Sequence, residues 1–124
     1  ADPGKFCGQA KLANLLCAKS LARRLEGSRA SANSVHPGVI RTNLGRNTGG
    51  WFYGLINFFA TPWERTVAQG AATQCYVAAN PKAAGLSGHY FADCNIAKPA
   101  PHGRDDALAE QLWQVSEKLV ADYL

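Results

Sequence analysis

The stretch from Phe6 to Leu25, FCGQAKLANLLCAKSLARRL, admits one regular structure and constrains everything that follows it. Leu12, Leu15, Leu16, Leu21 and Leu25, with Ala10, Ala13, Ala18 and Ala22 between them, make an apolar surface wider than a single helical stripe. The pattern predicts a helix from about Gly8 to Leu25 that is covered on more than one side. Arg23 and Arg24 complement its dipole, and Gly27 supplies the stop. Cys7 and Lys11 stand one turn apart, so whatever side chain occupies position 7 sits beside the Lys11 ammonium.

A helix covered on two sides needs partners. With 124 residues, 47% of them hydrophobic, the chain is expected to form a single unit over residues 1–124 with its own apolar core. It contains no methionine, and so reads as a processed chain, a truncated one, or the ordered part of something longer. Gln9, Lys11 and Asn14 interrupt the first apolar stretch, which does not fit a signal peptide, and the most apolar run, Trp51 to Ala60, is too short to span a membrane. The net charge of +4 is concentrated in the first half, where the acidic residues are Asp2 and Glu26. No aromatic residue interleaves with Arg23, Arg24, Arg29, Arg41 and Arg46. That argues against a nucleic-acid partner and for solvated helix ends plus a site for an anionic cofactor. Cys7, Cys17, Cys75 and Cys94 follow no metal-ligand spacing, so no metal is expected; they read as reduced thiols of a cytoplasmic protein.

Beyond the helix, Ala30 to His36 predicts a short buried strand ended by Pro37-Gly38, although only Val35 is branched. Asn43 to Ala60 is rich in glycine and aromatics, with Trp51, Leu55, Phe58 and Phe59 at helical spacing. A short amphipathic helix in a loop there would serve as a substrate lid, a membrane-surface contact or a cover for the core. Thr61-Pro62-Trp63-Glu64 reads as a capping box opening a helix that runs to Ala79, where Asn80-Pro81 stop it. Gly85 to Cys94 reads as a turn and a short strand centred on His89-Tyr90-Phe91. After a loop marked by Pro99, Pro101 and Gly103, Asp105 or Asp106 caps a last helix, which docks through Leu108, Leu112, Val115, Leu119 and Val120. The sum is a helix-rich α/β unit with two short strands.

Two constellations could carry chemistry. A cation beside a titratable side chain favours its ionised form, the condition for passing a proton to or from a substrate oxygen. Lys11 would do this for position 7, yet the Cys7 thiol reaches far less than a phenol would, and Cys7 also reads as a small, partly buried residue at a helix start. The second constellation is His36-Pro37-Gly38-Val39-Ile40-Arg41-Thr42. Ligands of open α/β sheets bind outside the carboxyl ends of strands, and a Pro-Gly turn lets backbone approach them closely. Taken alone, the same run reads as a plain strand-to-loop turn.

In order along the chain, GQAKLANLLCAKSLARRL, NSVHPGVIRTNLGR, QGAATQCYVA and SGHYFADCNIAKP resemble the C-terminal half of a short-chain dehydrogenase/reductase. The branch is the retinol-dehydrogenase-like one that includes WW-domain oxidoreductases, and the resemblance covers nearly the whole chain. It implies the C-terminal half of a Rossmann-like, doubly wound parallel sheet. It implies an NAD(P)-dependent oxidoreductase of lipophilic carbonyls or alcohols, with NADP favoured over NAD by family habit. By that resemblance Cys7 occupies the place of the catalytic tyrosine, and Lys11 works beside it and holds the nicotinamide ribose. Pro37, Gly38, Val39 and Thr42 would line the nicotinamide pocket, residues 43–63 would form the substrate lid, and the first helix would lie in a dimer interface.

The family's glycine-rich fingerprint, its adenosine- and pyrophosphate-binding strands, and its catalytic serine and asparagine all belong to an N-terminal half that this sequence does not contain. No GxGxxG or GxxxGxG occurs here. The chain alone is therefore expected to be an inactive fragment or truncated member. Its uncovered apolar faces would favour a homo-oligomer, or association with the missing half or with a full-length relative. The alternative is a non-catalytic binding or oligomerisation partner of the same ancestry.

Overall fold

The computed structural model describes residues 3–38 and 66–123. Helix α1 spans Pro3–Arg24. It starts earlier than Gly8 because Pro3, with its fixed φ and missing N–H, suits a first helical turn. It ends where the Leu25 N–H donates to Leu21 O at 3.0 Å and Gly27 takes a φ of +80°.

Strand β1 covers Ser34–His36 (3 residues), the last part of the Ala30–His36 stretch expected. Ahead of it, a backbone bond from Gly88 N–H to Ala32 O at 2.8 Å is joined by side-chain bonds. Ala32 N–H donates to Ser87 Oγ at 3.2 Å, and Asn33 donates to Leu86 O at 2.8 Å while accepting the His89 N–H at 3.0 Å. Short polar side chains compete with regular pairing in this way.

Strands β2, Tyr90–Ala92, and β3, Asn95–Ala97, complete a sheet of order β1-β2-β3. β1 pairs with β2 in parallel, Val35 opposite Phe91, and β2 pairs with β3 antiparallel. Two short strands of a parallel sheet were expected; there are three, and the sheet is mixed. The overlooked hairpin turns on Asp93 and Cys94, whose φ values of 53° and 58° meet the type I′ requirement without the Asn-Gly pair that usually announces it. The buried Thr73 hydroxyl accepts the Cys94 N–H at 3.2 Å and secures the turn.

Helix α2 is Val67–Ala79. Its capping box is Thr66 with Gln69: Gln69 N–H to Thr66 Oγ1 at 3.2 Å, Thr66 N–H to Gln69 Oε1 at 2.9 Å. The box read at Thr61–Glu64 lies outside the described residues, and the extended backbone of Thr66 separates it from α2. Asn80 ends the helix as expected. Helix α3, Asp106–Val120, is capped by Asp105, which accepts the Leu108 N–H at 2.9 Å.

α1 is covered on two sides, as its width requires. Leu15, Ala18 and Ala22 turn toward the sheet and the loop beyond it; Ala22 Cβ lies 3.4 Å from where a Cβ on Gly88 would be. Leu16 and Ser20 are buried, and the fully buried Ser20 hydroxyl donates to Ala109 O of α3 at 3.0 Å. The two helices run parallel: Lys19 pairs with Asp106, and Arg24 reaches Glu110 (2.9 and 3.2 Å) while stacking 4.3 Å from the Trp113 ring. The hydrogen bond from Lys19 holds the Asp106 carboxyl below its usual range, with Arg23 adding to the effect; the bond from Arg24 does the same for Glu110. Because α1 ends at Arg24, α3 outruns its partner. Ala109 is fully buried, but Val115 and Leu119 are 54% and 73% exposed, so the docking face expected through Val120 stops near Leu112. On the sheet's other face, α2 packs Tyr76 against Phe91, the largest fully buried side chain.

Candidate functional site

A cleft of about 770 Å³ opens where α1 passes the C-terminal end of β1. Residues 11, 14, 15 and 18 recur at three- and four-residue spacing, so α1 presents Lys11, Asn14, Leu15 and Ala18 along one wall. The opposite wall is His36, Pro37 and Gly38 at the end of β1, with Tyr90 of β2 beside them. Pro99, Ala100 and Gly103 close the floor. A Cβ on Gly103 would fall 3.1 Å from Pro99 Cβ and 3.3 Å from the Leu15 methyls, so the floor fits only because that residue is glycine. The position outside a strand's carboxyl end is the one ligands of α/β sheets use, and an apolar hollow with few polar groups is what a small molecule needs.

Three of the expected residues meet here: Lys11, Pro37 and Gly38 line the same cleft. Lys11 is exposed and makes no hydrogen bond or ion pair to any described residue, which leaves its three donors for a ligand. Gly38 adopts a φ of +81°, a conformation that L side chains rarely take, and donates its N–H to His36 Nδ1 at 3.1 Å. The His36 ring meets Tyr90 edge-on, with centroids 6.3 Å apart. Val39, Thr42 and the lid stretch 43–63 lie outside the described residues.

Cys7 departs from expectation. Its thiol is free and exposed, not partly buried, and it stands one turn before Lys11 without entering the lining of the cleft. Asn14 and Tyr90 were not singled out by sequence reasoning as site residues, and His36 was named in the Pro-Gly constellation without a role of its own. The spacing from Lys11 pointed to Asn14, and His36 stood in the Pro-Gly run, whereas Tyr90 enters only through the register that sets it opposite Ser34. A smaller hollow of about 200 Å³ shares Leu15, Tyr90 and Gly103 with the cleft and adds Lys19, whose ammonium is committed to Asp106 and Arg104 O.

Among the described residues no group of three or more His, Cys, Asp or Glu side chains could hold a metal ion, and no helix is long and apolar enough to cross a membrane. No family model matches the chain. It is 48% identical over 128 residues to short-chain dehydrogenase TIC 32 B, chloroplastic, of Brassica napus, a match covering 96% of this chain and 39% of that protein. Human retinol dehydrogenase 14 is 41% identical over 118 residues, covering 93% of this chain and 35% of the relative. Human WW domain-containing oxidoreductase is 38% identical over 117 residues, covering 94% and 28%. The chain thus spans less than two fifths of the length of the curated relatives it matches.

Proposed function

We propose, from the chain's likeness over nearly its whole length to short-chain dehydrogenases, that it forms the substrate-side part of an NAD(P)-dependent oxidoreductase of that family acting on lipophilic carbonyls or alcohols, within a Rossmann-like sheet. The observation that carries the reading is the convergence of Lys11, Pro37 and Gly38, far apart in sequence, on one cleft at the end of β1. When bound, a nicotinamide dinucleotide supplies the hydride. Lys11 would hold its ribose, and Pro37 and Gly38 would wall the nicotinamide, Gly38 leaving room by its lack of a Cβ; Val39 and Thr42, which the resemblance adds to that role, lie outside the described residues. The apolar remainder of the cleft and the aromatic stretch 43–63 suit a lipophilic substrate.

The residues present fit the nicotinamide riboside end of that cofactor: an unengaged cation, a glycine turn and apolar walls. They do not fit its pyrophosphate, since the sequence has no glycine-rich phosphate loop. Cys7 does not replace a phenol, because its thiol neither lines the cleft nor spans the distance from its own turn of α1. As this chain alone the protein is inactive.

A second reading, a non-catalytic association partner of the same ancestry, is favoured by one observation. Phe6, Ala10, Cys17 and Leu21 form an exposed stripe along α1, on the side that neither α3 nor the sheet covers. That stripe suits a second copy of the chain or a full-length relative. The test uses the complete product of the gene, with Lys11→Ala and Cys7→Tyr variants. NADPH binding followed by fluorescence, lost in Lys11→Ala, supports the oxidoreductase reading. A gain in NADPH-dependent reduction of a long-chain aldehyde in Cys7→Tyr identifies position 7 as the limiting residue. A product that dimerises but binds neither NADPH nor NADH overturns the first reading in favour of the second.

A further inference from the structure

The cleft wall contains one hydrogen bond whose existence depends on a protonation state. Gly38 N–H donates to His36 Nδ1 at 3.1 Å across a two-residue span. A ring nitrogen accepts only while it carries no proton, so this bond requires an Nδ1 without a hydrogen. Gly38 holds a φ of +81° at the mouth of the cleft, and among the described residues no other bond is recorded for its amide. The imidazole is exposed, edge-on to Tyr90, and on the face of β1 that looks toward α1, because His36 and Ser34 alternate with Val35. Among the described residues, the charged and titratable groups facing it are Lys11 from α1 and Tyr90 from β2; the loop contributes Pro99, Ala100 and Gly103, and none of the described lining residues is a carboxylate. α2 packs on the opposite, Phe91 face.

We infer that His36 is a positioning residue: its neutral ring holds the Gly38 amide and so keeps the Pro37-Gly38 turn in the shape that walls the cleft, and protonation of Nδ1 sets two N–H donors against each other and releases the turn. The functional consequence rests on the oxidoreductase reading above; the structural device does not. A cofactor that needs this wall would therefore be held in its place by a histidine that need not touch it, and the shape of the cleft mouth depends on the protonation state of that ring.

Labelling the chain with carbonyl-13C proline and 15N glycine isolates two Pro-Gly amides, Pro3-Gly4 and Pro37-Gly38. The Gly38 signal is expected to titrate with the same midpoint as the His36 ring. In His36→Asn, whose side-chain oxygen accepts an N–H two residues on as in an Asx turn, the signal should stay at its high-pH position at every pH. In His36→Phe, which keeps a ring beside Tyr90 but has no acceptor, it should sit permanently at the released position and exchange faster. In the complete gene product at high pH, His36→Asn should bind NADPH within about twofold of the parent and His36→Phe about fivefold more weakly, the effect of losing one hydrogen bond. A Gly38 amide indifferent to His36 titration, or a His36→Asn variant that matches His36→Phe, overturns the inference. A gene product in which the Gly38 signal behaves as described but NADPH binds at no pH refutes the oxidoreductase reading and leaves the positioning role standing.

Discussion

Replacing Ser20 tests what joins the first helix to the last. Its side chain is fully buried, and its hydroxyl donates to Ala109 O across the α1–α3 contact, where Ala109 itself has no exposed surface. Ser20→Ala removes the donor and leaves little space. The carbonyl it abandons keeps its place in the α3 ladder, so no buried acceptor is orphaned and the loss is that of one neutral hydrogen bond, about 1 kcal/mol. Ser20→Val loses the same bond and also forces extra methyl volume against Ala109, where overpacking costs about 1–3 kcal/mol more. With a urea m-value of about 2 kcal/mol per molar, the midpoint should fall by about 0.5 M for Ser20→Ala and about 1–2 M for Ser20→Val. Equilibrium urea unfolding followed by circular dichroism reads both, provided m is unchanged. Equal midpoints for the two variants would refute the close α1–α3 contact; a midpoint for Ser20→Ala equal to the parent's would refute the hydrogen bond.

Acid should loosen the same contact. Asp106 and Glu110 have carboxyls held below their usual range by Lys19 and Arg24, so they contribute stability above the ordinary carboxylate range that is lost as pH falls through the depressed values. Thermal melts should show a steeper fall in acid for the parent than for Asp106→Asn/Glu110→Gln, and 1 M salt should shrink the difference. Gly103→Ala should lower the melting temperature and occlude the cleft floor, because its Cβ would press on Pro99 and Leu15; the cost is about 1 kcal/mol or more, measured by calorimetry. Cys94→Gly should do the opposite, stabilising the chain by up to about 1 kcal/mol by relieving a left-handed residue while keeping its N–H on Thr73.

The sequence made α1, the end of α2 and the start of α3 legible because each is written in residues that act locally: a broad apolar band, Asn80-Pro81, and the Asp105 cap. Legibility failed where a distant partner decided the outcome. β3 depends on an Asp93–Cys94 turn that Thr73, from another element, holds in place. The true length of β1 depends on its pairing with the segment before β2, where the Asn33 side chain bonds Leu86 and His89 beside the backbone contacts. The exposed end of α3 depends on where α1 stops. In the candidate site, Lys11, Pro37 and Gly38 were readable from spacing and resemblance, but Tyr90 needed strand register and the Gly38–His36 bond needed coordinates. Cys7 illustrates the reverse: its position on the helix was evident, and its distance from the cleft was not.

The parallel contact of α1 with α3 also fixes an order of events during synthesis. Leu16 and Ser20 are buried by residues that leave the ribosome some ninety positions later, since Ser20 bonds to Ala109. Contacts of such separation close slowly, and until they close the apolar band of α1 remains open to other chains. A nascent chain that has not yet released residues 106–113 therefore offers α1 as a sticky element, and their emergence is the step that closes the helix pair.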